Sequence, residues 1–253
     1  MELRQLLDLA KQIDPSSELF RRTREILAPV EEATGCSRTL LADGGLLAWP
    51  ILQRMKPMEG WLNENEADLL IAATAMALTG ASDAGALVEV GSYCGRSTCV
   101  IAGVVKALGA TARVYAVDPH EGRVGAEGQE IEIKGSTLER LKKNLRDAKV
   151  TDQVTIIQSH SWEVVWNKPA SLLFIDGLHD YQNVAGDFQH FESSLVVGGY
   201  AAFHDYGGRY PGVTAFVDEL LSNGCYEKIH CAGSMLVMKR ISESRAIAGR
   251  TAE

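Results

Sequence analysis

Residues 87 to 98, Leu87-Val88-Glu89-Val90-Gly91-Ser92-Tyr93-Cys94-Gly95-Arg96-Ser97-Thr98, run from a short apolar segment through two glycines into a helix-forming stretch. A β-type run that ends in glycine and gives way to a helical pattern reads as the opening of a βαβ unit. Glycines at such a turn let backbone approach a ligand closely, and open α/β sheets bind ligands beyond the carboxyl ends of their strands. The turn therefore predicts a ligand site, and its spacing excludes two common ligands. A dinucleotide fold places Gly-x-Gly-x-x-Gly here to bring a pyrophosphate onto a helix N-terminus, and a phosphate-cradling loop ends in Gly-Lys-Ser/Thr. Neither occurs. Glu89 instead stands two residues before Gly91, and Gly95 four residues after it. Negative charge at the strand end disfavours a pyrophosphate and suits a cationic ligand.

From this turn onward β-rich runs alternate with helical patterns. Strands are expected at Leu87–Val90, Arg113–Val117, Val154–Ile157, Ser171–Ile175, Tyr200–Phe203, Tyr226–Ile229 and Met235–Met238. Helical stretches at Ser97–Leu108, Ser136–Ala148, Trp162–Trp166 and Asn183–Leu195 separate the first five, which predicts right-handed crossovers and a parallel sheet. Only His230-Cys231-Ala232-Gly233-Ser234 joins the last two, too short for a crossover, so a hairpin adds one antiparallel strand. The expected fold is α/β, a doubly wound seven-stranded Rossmann-like sheet with its last strand antiparallel and an N-terminal helical extension. Residues 1–60, broken at Asp14-Pro15, Gly35 and Gly44-Gly45, read as a helical cap or lid, residues 61–241 as the main domain, and residues 242–253 as a frayed polar tail. Asn63 followed by Glu66 and an Ala-rich run to Leu78 predicts a capped helix leading into the sheet.

Composition narrows the function. With 253 residues, 46% hydrophobic and 23% charged, the chain is long enough for one large core. Its net charge of −8 argues against a nucleic-acid partner, since phosphate binding relies on clustered Lys and Arg. No run of about 18 apolar residues occurs and Met1 to Asp14 mixes charged with apolar residues, so neither a membrane span nor a signal peptide is expected. The five cysteines, Cys36, Cys94, Cys99, Cys225 and Cys231, are odd in number and lack CxxC spacing, which fits reduced thiols. A cytoplasmic protein is expected.

Glu89-x-Gly91-x-x-x-Gly95-x-Ser97, with Asp118 closing the run Val114-Tyr115-Ala116-Val117, resembles motif I and the following acidic strand end of class I S-adenosylmethionine-dependent methyltransferases. The resemblance implies that the glycine loop wraps the methionine half of the cofactor and that Asp118 accepts both ribose hydroxyls. It adds Met58, Glu59 and Gly60 before the helix, and Ser159, His160 and Ser161 beside the adenine. The implied cofactor set is Met58, Gly60, Glu89, Gly91, Ser97, Asp118, Ser159, Ser161 and Asp176.

Past the fourth strand comes Asp176-Gly177-Leu178-His179, and past the fifth His204-Asp205. Those strand ends adjoin the first in a sheet of this winding, so two carboxylates and imidazole groups face one cleft, a donor set suited to a hard divalent ion. The block resembles the metal-dependent O-methyltransferases, including those acting on macrolide and glycan sugars, in which an Asp pairs with an acidic dipeptide. Here His204 replaces the first acid of that dipeptide. The resemblance implies Asp176, His204 and Asp205 as ligands of a divalent cation, magnesium by default, and His179 as general base beside Asp176. Tyr206, Arg209 and Tyr210, in a glycine-rich segment, are expected to line the acceptor site, although a surface turn fits that composition equally. Taken singly, Asp176, His179, His204 and Asp205 also suit helix-cap, turn or packing roles. Asp180 and Asp187 read as helix-start charges. The expected activity is methylation of a hydroxyl on a sugar or other small molecule. A catechol-type acceptor, an idle cofactor-binding domain and a metal hydrolase on a similar sheet are the alternatives, and the N-terminal segment is a lid or a homodimer contact.

Overall fold

The computed structural model describes residues 48–80, 85–126, 131–132 and 136–243, all within the compact unit Leu47–Glu253. The helices expected before residue 48, Cys36, and the tail beyond residue 243 lie outside the described residues. In chain order the elements are α1 (Ala48–Met55), α2 (Glu64–Gly80), β1 (Ala86–Val90), α3 (Arg96–Ala107), β2 (Val114–Val117), β3 (Arg123–Val124), β4 (Ile131–Glu132), α4 (Thr137–Asp147), β5 (Val154–Ile157), β6 (Ala170–Ile175), α5 (Tyr181–Glu192), β7 (Leu195–Phe203), α6 (Pro211–Ser222), β8 (Tyr226–Ala232) and β9 (Met235–Arg240). Seven strands form one sheet in the order β5-β2-β1-β6-β7-β9-β8, and β3 and β4 form a separate ribbon. Only β9 runs against the rest of the large sheet, antiparallel to both β7 and β8.

Alternation along the strands divides two packed layers. Val88, Val90, Leu173, Ile175, Ala201 and Phe203 share a core with Val184, Phe188 and Phe191 of α5 and Val213, Phe216 and Val217 of α6. Phe188 centres it, 5.3 Å from the Phe203 ring and 5.8 Å from Phe216. Glu89 has the opposite parity and meets α3, which packs on α2 and α1. Gly103 of α3 admits Ile51 of α1, since a β-carbon there would stand 3.2 Å from Ile51 Cγ2.

Four elements depart from expectation. The helix expected over Asn183–Leu195 spans Tyr181–Glu192, and β7 begins at Leu195, ahead of the expected Tyr200. Gly198-Gly199, with Gly198 at φ +89°, weakens the β signal where the strand starts. Trp162–Trp166 yields only a 3-10 turn, Ser161–Glu163. The glycine-rich run after Asp205 opens into α6, because Pro211 occupies the first helical turn, where its missing N–H costs nothing.

Register positions the site. Val90 pairs with Val117 and Ile175, and Ile175 pairs with Phe203. The residues that follow, Asp118, Gly91, Asp176 and His204, therefore stand in a row at the carboxyl edge. Their N–H groups continue the ladder onto Ile157, Val117, Val90 and Ile175 respectively. The chain turns one way from β1 to β2 and the other way to β6, which makes this edge the point where the winding reverses.

Candidate active site

The loop after β1 is held in a shape few residues tolerate. Gly91 has φ +90°, and a β-carbon on it would sit 2.1 Å from the Asp176 carbonyl oxygen. Gly95, at φ +83°, caps α3 where a β-carbon would meet Leu141 Cδ1 at 2.3 Å. Tyr93 and His120 also adopt positive φ, and their backbone N–H groups both donate to Asp118, Tyr93 to Oδ2 at 2.7 Å and His120 to Oδ1 at 2.6 Å. Asp118 thus ties the glycine loop to the end of β2 while facing a cleft. Glu89 does not face one. It is fully buried, accepting from the hydroxyls of Ser97 and, at 2.5 Å, Thr98, so it braces the loop from behind. Complete burial, opposed by those hydroxyls, pushes its carboxyl up to about 7.

Beside this loop the row brings together Asp176, His179, His204 and Asp205. His179 Nε2 lies 3.2 Å from Asp205 Oδ2 and 3.7 Å from Asp176 Oδ1. His204 Nδ1 lies 3.2 Å from Asp176 Oδ1 and 3.1 Å from Asp205 Oδ2, and its Nε2 faces Glu66 Oε2 at 3.1 Å. Three carboxylates around a buried ring outweigh its desolvation, Asp176 foremost, and drive the pKa of His204 far above its ordinary range. For Asp176, burial favours the acid, but the neighbouring His204 and His179 prevail and bring it down to about 2.

His204, expected as a metal ligand, lines the acceptor-side cleft with both ring nitrogens facing carboxylates, Nδ1 those of Asp176 and Asp205 and Nε2 that of Glu66. The donor atoms that do converge belong to Asp176, His179 and Asp205, all within 4.8 Å of one another. Both ring nitrogens of His179 are buried without a well-aligned hydrogen bond, although Nε2 is in ion-pair contact with Asp205. An imidazole so placed beside two carboxylates fits a divalent cation.

Two clefts meet at this edge. One is lined by Asp118, Pro119, Glu121, Ser159, His160, Ser161, Trp162, Asn183 and Asp187, the other by Gly60, Trp61, Leu62, Arg96, Ser97, His179, Asp205, Arg209 and Tyr210. Gly91, Tyr93, Val124 and Asp176 line both. Of the remaining expected residues, Met58 is buried away from the clefts, and its carbonyl accepts from Arg96 Nη1 at 2.5 Å. Glu59 accepts from Tyr93 Oη–H at 2.6 Å and Arg140 Nη1–H at 2.5 Å. Tyr206 turns from the acceptor side, its hydroxyl donating to Asp218 of α6 at 2.8 Å.

Trp61, Trp162 and Asp187 carry no local signal for their positions, and the sequence around Glu66 signals only its helix cap. Asp187 is not a helix-start charge; it sits within α5, buried at the cleft and bonded to Ser161. Asp180, by contrast, does cap α5, accepting from the Asn183 N–H.

Residues 88–206 match the family profile described as a methyltransferase domain, a span reaching from β1 past His204-Asp205. Solved structures of like architecture include the O-methyltransferase NovP, with TM-score 0.60 and 18% identity over 70% of this chain and 80% of that one. CalS11, described as a TDP-rhamnose 3'-O-methyltransferase of calicheamicin biosynthesis, has TM-score 0.54 and 15% identity over 87% of this chain and 94% of its own. TomG from Streptomyces achromogenes, an O-methyltransferase of tomaymycin synthesis in complex with S-adenosylmethionine, has TM-score 0.50 and 12% identity over 88% and 98%. At such identities the likeness speaks for the fold.

Proposed function

Because the chain carries a methyltransferase domain in the class I methyltransferase fold, we propose that it moves a methyl group from S-adenosylmethionine to a hydroxyl of a sugar or another small molecule. The observation that carries this reading is the shared wall of the two clefts, with Asp118 on one side and His179 and Asp205 on the other. The cofactor supplies a sulfonium-activated methyl group. Asp118 would take its ribose, Ser159 and Ser161 its adenine end, and His160 and Trp162, stacked at 4.3 Å, would shelve the base. Gly91 lets the chain lie close along the methionine half. Glu89 acts through the loop it braces.

On the acceptor side, Trp61, Tyr210 and Arg209 would seat a ring carrying a hydroxyl, aimed past Asp176. The hydroxyl proton passes to His179 Nε2, and Asp205, 3.2 Å away, stabilises the resulting imidazolium. A divalent cation, magnesium by default, held by Asp176 and Asp205 would supply Lewis-acid polarisation of the acceptor oxygen. A sugar or polyol is favoured over a phenol because an unactivated alcohol needs both forms of help. Among the similar structures, CalS11 is a TDP-rhamnose 3'-O-methyltransferase, acting on a sugar hydroxyl, which accords with this choice. The free thiols of Cys94, Cys99, Cys225 and Cys231 accord with a cytoplasmic setting. No helix among the described residues is long and apolar enough to cross a membrane.

The convergence of three donor sets favours a second reading in which His179 is a cation ligand instead of the base. One series of measurements tests both. S-adenosylhomocysteine should bind in calorimetry, and methyl transfer over a panel of sugar, polyol and phenol acceptors should stop on adding a chelator. Absence of binding sinks the proposal, and chelator-insensitive transfer removes the cation from it. His179→Ala should lower transfer about 10²- to 10⁴-fold with Mn²⁺ binding retained. Mn²⁺ binding lost in step would make His179 the ligand.

A further inference from the structure

Glu66 lies at the start of α2, 138 residues from His204 in sequence, and is buried with 3% exposure. Its pairing with Asn63 is the capping box legible in the sequence: the Glu66 N–H donates to Asn63 Oδ1 at 3.1 Å and the Asn63 N–H to Glu66 Oε2 at 2.9 Å. A capping box needs nothing more, and an exposed glutamate serves it. This carboxylate does more. Oε1 accepts from the N–H and the hydroxyl of Ser234, each at 2.9 Å, and Oε2 faces His204 Nε2 at 3.1 Å. The β8–β9 turn closes against it, since a β-carbon on Gly233 would stand 2.5 Å from Oε1. A ring whose Nε2 edge is pinned to Glu66 has its Nδ1 edge aimed by that pin. Nδ1 meets Asp176 Oδ1 and Asp205 Oδ2 at 3.2 and 3.1 Å, and those aspartates belong to the converging donor group.

We propose that Glu66 is a positioning residue for the cation site: by holding Nε2 of His204 it directs the Nδ1–H at Asp176 and Asp205 and sets how those two carboxylates face a bound ion. The inference rests on the reading of Asp176 and Asp205 as cation ligands. Hydrogen bonds behind metal-binding carboxylates fix their orientation, and here the chain of contacts runs one residue further, to a helix outside the family-matched segment. The replacement of an acid by His204 then has a compensating partner, a glutamate supplied from α2.

Mn²⁺ titration of the full chain loaded with S-adenosylhomocysteine, followed by electron paramagnetic resonance, tests this without reference to turnover. Glu66→Gln should weaken Mn²⁺ binding about tenfold with S-adenosylhomocysteine affinity within about twofold of wild type. Ser234→Ala removes the hydroxyl, one of the two hydrogen bonds from the hairpin, but leaves the tie to His204, and should leave Mn²⁺ affinity in place. Should Glu66→Gln fail to fold, Glu66→Asp, which keeps the charge but withdraws it from His204, should show the same weakening. Unchanged Mn²⁺ affinity in the Glu66 variants, equal weakening in Ser234→Ala, or no Mn²⁺ uptake by the wild type overturns the inference. Failure of the wild type to bind S-adenosylhomocysteine would instead count against methyl transfer itself.

Discussion

Asp187 carries a clear pH signature. Burial pushes its carboxyl up to about 6 against the bond from Ser161, and Asp180 nearby adds to the effect. A carboxyl whose folded pKa is raised stabilises the fold below its ordinary pKa near 3.8, and that contribution is lost as pH climbs through about 6. Asp187→Asn removes the titration. Its stability relative to wild type should therefore rise between pH 4 and pH 8, by about 2 to 3 kcal/mol as a ceiling. Urea denaturation at both pH values measures it, and parallel shifts of the two proteins would refute the burial argument. Asp187 also shows what one residue reveals on its own: its type was plain, but its depth and its partner depend on the 3-10 turn Ser161–Glu163 meeting α5. His204 is similar. Its place after β7 was legible, whereas the capture of both ring edges required a glutamate from another helix.

Among elements, the β1 turn was the most legible because its constraints are local. Gly91→Ala combines a φ of +90° with a β-carbon 2.1 Å from the Asp176 carbonyl oxygen, so backbone strain and overpacking act together. A loss of about 3 kcal/mol or more is expected, with weakened S-adenosylhomocysteine binding. Gly207→Ala is the control, since at φ +69° it meets nothing within 4 Å and bears the strain alone, about 1 kcal/mol. Equal thermal shifts for the two variants would mean that contact with Asp176 contributes nothing. Elements lacking a strong local pattern were harder. The start of β7 is hidden by Gly198-Gly199, and α6 follows a segment whose composition suits a loop. The start of β7 is set by the pairing of Leu195 with Ala170 of β6, and α6 by burial of Val213, Phe216 and Val217 in the core.

At the scale of the molecule, two clefts share one wall, and residues confined to one side should affect one ligand. Trp61 lines the acceptor side alone and is 55% exposed, while Trp162 lines the Asp118 side and is 60% exposed, so neither truncation should unfold the core. Trp61→Ala should raise the acceptor KM about tenfold with cofactor affinity unchanged, and Trp162→Ala the reverse, on the roughly 1 to 2 kcal/mol that an aromatic contact contributes. Steady-state kinetics with each substrate varied in turn decides it; if both variants raise both constants, the clefts are not separate sites. The sheet, its winding and the row of acids at its carboxyl edge were specified by local chemistry: apolar runs of strand length, glycines where backbone must crowd, and crossover lengths that permit one handedness. Such features depend on neighbours in sequence, so they can be read without a structure. The division of labour within the row was not readable in that way. Glu89 behind the loop, Tyr206 turned onto α6, His204 clamped by Glu66 and His179 left among the donors all follow from which side chains meet across the fold, because burial and partner charge, not residue type, determine what an ionisable group does.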